Sequence, residues 1–387
     1  MIPYGQQSVS QGDVDAVVAV LKSEWLTQGP VVPAFERAVA ELVGAEYGVA
    51  TNSGTSALHL ACLAMGLTVG DRLWTAPNTF VASANCGLYC GADVDFVDID
   101  PATYNLSVPS LQLKLEAAAR RGQLPKVLVP VHFAGQPTDQ EAIWRLAREY
   151  GVRVVEDACH SLGAYRNGEA AGSCRWSDIT VFSFHPVKAI TSAEGGMAVT
   201  NDPDAAQRMR RLRTHGIVRP TTEARGALDG DWYYEQVELG FNYRISDIHC
   251  ALGLSQLRRL GAFIARRQSI AARYSEALSG LPLTLPWEDP AGQSAWHLYV
   301  VRVPPGETAK SRRDVFDEMR AQGVGVQVHY IPVHLQPYYR RLGFGVGDFP
   351  EAERYYSEAI SLPIFPSLSH ADQETVITSL QRAIGGQ

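Results

Sequence analysis

Lys188 closes the segment Ser183-Phe-His-Pro-Val-Lys188 and is followed by Glu194-Gly-Gly196. The run 179–184 carries the β-branched and aromatic residues of a buried strand, and Pro186 stops that strand. A lysine just past a strand terminus lies where open α/β sheets collect ligands. Partial desolvation there depresses an ammonium pKa and makes the amine a nucleophile or Schiff-base partner. Asp157 ends the run Val154-Val-Glu-Asp157 and places a carboxylate at the same end of another strand. It either caps the following turn or holds a proton on a ring nitrogen with its negative charge.

Asn52-Ser-Gly-Thr-Ser56 follows a strand and opens a helix. Free backbone N–H groups at such a terminus, the helix dipole and the Thr55 and Ser56 hydroxyls favour a phosphate, although the same residue types also cap helices routinely. Phe80, in Asn78-Thr-Phe80, either stacks on a planar ring or fills core. His160, one turn after Asp157, either donates to a neighbouring oxygen or is structural. The spacings GxxxxGK[ST] and GxGxxG are absent, so neither an ATP-driven nor a nicotinamide enzyme is indicated. A phosphate cradle, an aromatic platform, an acid for a ring nitrogen and a Schiff-base lysine are together what pyridoxal 5′-phosphate requires.

The elements that must position these residues follow from periodicity. Apolar runs at 48–51, 72–76, 94–98, 126–132, 153–157, 179–184 and 197–200 read as strands, and the stretches 55–65, 81–90, 110–120, 139–150 and 203–214 between them read as helices. This alternation predicts an α/β fold, a doubly wound and mainly parallel sheet. Gly151 ends one helix as a C-terminal glycine should. Near Ser246 the pattern changes to one long helix over 248–278, then to shorter elements at 297–303, 312–322, 325–330, 350–360 and 370–384. A large domain over 1–246 and a linking helix with a small α+β domain over 247–387 are expected.

The chain has 387 residues, 46% hydrophobic and 19% charged, the range of a globular enzyme rather than a disordered chain. Its net charge of -7 and the absence of a basic block argue against nucleic acid as a partner. The six cysteines are scattered, and the step from Cys86 to Cys90 lacks the paired spacing of a zinc site, so no metal is expected. With no signal-like N-terminus and no apolar run of membrane-spanning length, a cytoplasmic location is the expectation.

Six stretches resemble the DegT-type family of sugar aminotransferases in order and spacing: Leu26-Thr-Gln-Gly29, Ser53-Gly-Thr-Ser-Ala57, Glu156-Asp-Ala158, Ser183-Phe-His-Pro-Val-Lys188, Glu194-Gly-Gly196 and Gly240-Phe-Asn-Tyr-Arg244. The resemblance covers nearly the whole chain. It implies a type I aminotransferase fold, a homodimer with active sites shared between subunits, and pyridoxal 5′-phosphate as cofactor. By this resemblance Lys188 is the catalytic lysine that carries the cofactor, Asp157 the pyridinium partner and Phe80 the stacking ring. Gly54, Thr55, Ser56 and Ser183 match phosphate-binding positions, and Asn242 the asparagine that reaches the phosphate from the neighbouring subunit. His160 stands where many relatives have glutamine, beside the cofactor's phenolic oxygen.

A narrower resemblance is to members of the family that aminate C4 of a UDP-linked 4-keto-6-deoxy-N-acetyl sugar in pseudaminic acid synthesis. It rests on Ile2-Pro-Tyr-Gly5, His185-Pro-Val-Lys188, the run from Gln327 to Tyr339, Gly347-Asp-Phe-Pro350 and Ile360-Ser-Leu-Pro363. It implies Tyr4, Thr27, Gln28, Gly29, Gln327, His329, Tyr330 and Tyr338 as nucleotide-sugar contacts, and L-glutamate as amino donor in a ping-pong transfer. A transaminase of another nucleotide keto-sugar and a cofactor-binding regulator are the alternatives. Related sugar dehydratases carry histidine at the lysine position, which Lys188 argues against.

Overall fold

A computed structural model of the chain describes residues 1–219, 230 and 232–385. Its centre is a 7-stranded sheet of β1 (Tyr47–Thr51), β2 (Arg72–Thr75), β3 (Asp93–Phe96), β4 (Val127–Val129), β5 (Arg153–Asp157), β6 (Ile179–Ser183) and β7 (Gly196–Thr200), in the order β1-β7-β6-β5-β4-β2-β3. The strands β3, β2, β4, β5 and β6 are parallel, whereas β7 runs antiparallel to both β6 and β1. β5, β6 and β7 are buried almost throughout, as strands covered on both faces must be. The expected mainly parallel α/β sheet is therefore present. β4 stops at Val129, short of the expected 132, because Pro130 has no N–H to continue the ladder.

Chain order reverses at β2, with β3 on one side and β4 on the other. Ligands collect outside the carboxyl ends of strands at such a reversal. Residues 76–80 leave β2 at that end, Asp157 terminates β5, and Ser183 terminates β6 just before the Lys188 turn.

Two helices precede the sheet: α1 (Gln11–Leu21) and α2 (Val31–Val43). α1 buries only Asp13 and Val20 and so lacks the one-sided apolar stripe that marks a helix in sequence. α2 does carry such a stripe, in Val32, Phe35, Val39 and Val43. Next come α3 (Gly54–Ala64), α4 (Ala82–Tyr89), α5 (Val108–Arg121), α6 (Gln140–Glu149) and α7 (Pro203–Arg213), each within a turn of its expected position.

The single helix expected over 248–278 is instead two, α8 (Asp247–Leu257) and α9 (Leu260–Leu278). The break falls where the Arg259 N–H bonds the Gln256 carbonyl and its guanidinium reaches Asp13 of α1 at 3.0 Å. Beyond it lie β8 (Tyr299–Arg302), α10 (Arg312–Ala321), α11 (Pro350–Glu358), β9 (Ala359–Leu362) and α12 (His370–Ile384), with β8 antiparallel to β9. The stretch 325–330 forms no strand beyond a bridge from Gln327 to Ser361, and 350–360 is a helix that passes directly into β9. A separate core runs from Ile270 in α9 to Ile384 in α12, and Ile2 packs against it while exchanging backbone bonds with Gly323 and Gly325. The first residues of the chain thus join the C-terminal unit. Among the described residues no helix is long and apolar enough to cross a membrane.

Candidate active site

Ser53 ends the loop after β1 and caps α3, its Oγ accepting the Ser56 N–H at 3.1 Å. The first N–H groups of a helix have no intrahelical acceptor, and Gly54 and Thr55, at that terminus, line a cavity of about 380 Å³. β7 lies against this turn so closely that a Cβ on Gly196 would stand 2.3 Å from the Ser53 carbonyl oxygen and 2.6 Å from the Gly54 nitrogen. Ser183 faces the turn across the cavity: a Cβ on Gly54 would meet the Ser183 Cβ at 3.0 Å. The result is an anion cradle of backbone N–H groups and hydroxyls at a helix N-terminus. Ser56 stands behind it, its hydroxyl donating to Asn52 Oδ1 at 2.6 Å, and does not line the cavity.

Asp157 is buried at the end of β5. Its Oδ2 accepts from Ser83 Oγ at 2.6 Å and its Oδ1 from the Cys159 N–H at 3.1 Å. Lys188 is half-buried on the same cavity wall. Burial lowers its amine pKa from the ordinary value, opposed by the neighbouring Cys159 and Asp157. Phe80 is not a core residue: it is 56% exposed and lines the cavity, where an aromatic ring can stack on a planar group.

Three imidazoles complete the wall. His160, His297 and His329 are each buried. The rings of His160 and His297 lie 4.2 Å apart, and the Tyr330 hydroxyl meets His160 Nε2 at 3.3 Å. His329 Nδ1 contacts Ser361 Oγ at 2.8 Å and its ring packs on Tyr4. Burial pushes all three imidazole pKa values down, with the Lys188 charge adding to the effect, and His329 falls to about 4. These histidines are thus neutral near pH 7 and serve as hydrogen-bonding groups rather than cations.

The residues matched to nucleotide-sugar contacts divide into two groups. Tyr4, His329 and Tyr330 line both the inner cavity and an adjoining hollow of about 300 Å³ that also holds Gln327. Val81 and Gln336 connect that hollow to an outer groove of about 450 Å³ bearing Tyr338. Thr27, Gln28, Gly29 and Asn242 lie away from all of these. Thr27 bridges to Ser246, Asn242 bridges to Thr214, and the Gly29 N–H bonds Asp247 Oδ2 at 2.8 Å. The residue reading did not single out Thr79, Ser83, Cys159 or His297 as cavity-wall or supporting groups. Ser83 carried a faint signal, being one helical turn after Phe80, whereas His297 enters from beyond residue 246 with no local spacing to betray it.

A donor cradle for phosphate, a buried carboxylate, an exposed ring face and a desolvated lysine on one cavity fit pyridoxal 5′-phosphate. The chain matches the DegT/DnrJ/EryC1/StrS aminotransferase family over residues 7–381. It is 38% identical over 388 residues to the spore coat polysaccharide biosynthesis protein SpsC of Bacillus subtilis (strain 168), covering 100% of this chain and 97% of that protein. Among solved structures it is similar to Helicobacter pylori PseC, an aminotransferase involved in the biosynthesis of pseudoaminic acid, with a TM-score of 0.90 and 28% identity over 100% of both chains. It is also similar to Spr1654 from Streptococcus pneumoniae in its PMP-form, with a TM-score of 0.90 and 27% identity over 99% of each chain. Spr1654 has been solved in a PLP-form as well. The chain therefore belongs to the DegT/DnrJ/EryC1/StrS aminotransferase family and is a pyridoxal phosphate-dependent sugar aminotransferase.

Proposed function

We propose that the enzyme moves an amino group from L-glutamate to C4 of a UDP-linked 4-keto-6-deoxy-N-acetylhexosamine, UDP-2-acetamido-2,6-dideoxy-β-L-arabino-hex-4-ulose, giving UDP-4-amino-4,6-dideoxy-N-acetyl-β-L-altrosamine. The observation that carries this reading is the series of adjoining hollows from Lys188 past Tyr4, Gln327 and His329 to Tyr338, whose aromatic and polar lining suits a sugar at the inner end and a nucleotide further out. The likeness to PseC supports the sugar. The higher identity to SpsC favours a second reading, in which a different nucleotide keto-sugar is aminated at the same site.

In this reading the cradle of Gly54, Thr55 and Ser183 holds the cofactor phosphate, Phe80 covers one ring face, and Asp157 keeps the ring nitrogen protonated. When bound, the cofactor supplies the electron sink for the carbon that loses its proton. The Lys188 amine, uncharged more readily because it is partly buried, would take the proton from the donor's α-carbon and give one to the cofactor's C4′, and in the second half-reaction would take one back from C4′ and give one to C4 of the sugar. His160, whose Nε2 meets the Tyr330 hydroxyl, would hydrogen-bond the cofactor's phenolic oxygen. A homodimer completes the site. Trp25, Leu26 and Leu21 expose apolar surface beside Thr27, Gln28 and Gly29, an arrangement suited to burial against a second copy, whose Asn242 reaches the phosphate.

The test is incubation with glutamate and either the L-arabino or the D-xylo UDP-4-keto sugar, followed by product NMR. Turnover of the L-arabino sugar is expected, and preference for the D-xylo epimer would overturn the assignment. Lys188→Ala should abolish turnover and the borohydride-trappable cofactor together. A variant retaining both would remove the lysine from its role.

A further inference from the structure

Asp157 does not face the cavity unsupported. Ser83, fully buried on the first turn of α4, donates its hydroxyl proton to Asp157 Oδ2 at 2.6 Å, and Thr79 Oγ1 lies 2.7 Å from Ser83 Oγ. Thr79 is itself 2% exposed. The direction of this chain follows from donor arithmetic. An ionised carboxylate only accepts, and a serine hydroxyl has a single proton. Ser83 gives that proton to Asp157, so Thr79 must be the donor to Ser83. The Cys159 N–H satisfies the other carboxylate oxygen at 3.1 Å, which fixes the carboxylate plane at two points and leaves its remaining lone pairs for a group in the cavity.

We propose that Thr79 and Ser83 are positioning residues, a two-hydroxyl relay that sets the direction and acceptor strength of Asp157 toward the protonated ring nitrogen of the cofactor. This rests on the reading of Asp157 given above. Thr79 adjoins Phe80, and Ser83 lies one helical turn beyond it, so the acid and the stacking ring are held by one short piece of chain. A shift of the 78–83 segment moves both together. Hydrogen bonds to a charged acceptor are shorter and stronger than neutral ones, and the 2.6 Å contact is of that kind. The chain can also strengthen cooperatively, because Thr79 polarises the Ser83 hydroxyl.

The test uses the holoenzyme and four variants: Ser83→Ala, Ser83→Thr, Thr79→Val and Asp157→Asn. The readouts are the 15N NMR shift of the bound cofactor labelled at its ring nitrogen, followed against pH, which reports ring-nitrogen protonation, and kcat and KM for glutamate taken separately. Ser83→Ala is expected to lower kcat by about ten- to a hundredfold, the scale of a lost bond to a charged group. KM should barely change, and the spectral titration should move to lower pH. Thr79→Val should shift both readouts in the same direction by less, and Ser83→Thr should restore them. If Ser83→Ala fails to fold, the Thr79→Val titration alone decides, because no titration shift there overturns the relay. A Ser83→Ala enzyme with wild-type titration beside a crippled Asp157→Asn enzyme would overturn the relay while leaving Asp157 in its role. A wild-type titration in Asp157→Asn would remove Asp157 from the ring nitrogen and the relay with it.

Discussion

Gly196→Ala is a severe test of how the proposed phosphate cradle is built. The added Cβ would lie 2.3 Å from the Ser53 carbonyl oxygen, 2.4 Å from its carbon and 2.6 Å from the Gly54 nitrogen, all backbone atoms that no rotamer change can move. To reach 3.0 Å, something must recede by about 0.7 Å. It cannot easily be β7, since Gly196 pairs with Thr51 on one side and Ser183 on the other. The start of α3 must give way, and with it the N–H groups of Gly54 and Thr55. Overpacking of this kind costs about 1–3 kcal/mol. Displacing even a single N–H from a phosphate oxygen costs about as much again, a loss of roughly ten- to a hundredfold in cofactor affinity.

The assay is cofactor titration of the apoenzyme by absorbance, paired with thermal unfolding of apo and loaded protein. Gly196→Ala should bind cofactor at least about tenfold more weakly and gain less thermal protection from it, by the linkage of ligand binding to stability. Gly261→Ala is the control. Nothing lies within 4 Å of its added Cβ, and in the first turn of α9 the change should stabilise by about 0.5–1 kcal/mol with no effect on cofactor. A Gly196→Ala enzyme with wild-type cofactor affinity would refute the cradle geometry.

Two further outcomes follow from burial and hydrogen bonding elsewhere. The pKa of His329 is held down to about 4 by burial and by the Lys188 charge. An imidazole lowered in the fold contributes stability that is fully present above its unfolded value, about 6.5, and is lost as pH falls toward the folded one. Denaturant midpoints should therefore decline from about pH 6.5 downward, and His329→Asn should flatten that decline; an unaltered slope would contradict the assignment. Asp247→Ala should destabilise by about 1–3 kcal/mol, because Asp247 accepts from the N–H groups of Gly29 at 2.8 Å and Val31 at 2.9 Å where α2 begins. Urea unfolding checks this, and a wild-type midpoint would show that solvent replaces those bonds at no cost.

What the sequence made legible was governed by local constraint. The bounds expected for β5 match its residues and those for β6 differ by one, because a short β-branched stretch closed by Asp157 or by the turn before Pro186 admits few other conformations. Lys188 and Asp157 inherited their positions from those strand ends. The anion cradle was half legible: the cap after β1 could be read, but not that Ser56 would spend its hydroxyl on Asn52 while Gly54 and Thr55 faced the cavity. The direction of a hydroxyl is set by neighbours in space, not in sequence. The break between α8 and α9 was hidden for the same reason, since Arg259 finds its acid in α1.

The histidine wall shows where local reading stops. His160 and His297 are brought to 4.2 Å only by packing α9 and β8 against the sheet, with the buried Arg267 of α9 holding the Trp296 carbonyl at 3.1 Å and the Ile364 carbonyl at 2.9 Å. Burial lowers the pKa of Arg267 to about 10. Its charge is one reason His297 is disfavoured as a cation, after burial and the His160 and Lys188 neighbours. Burial is the main cause that keeps His160 and His297 neutral, and burial also lowers the amine of Lys188 on the same cavity wall. A lysine in such a place loses its proton more readily, which the role proposed for it at the donor's α-carbon requires.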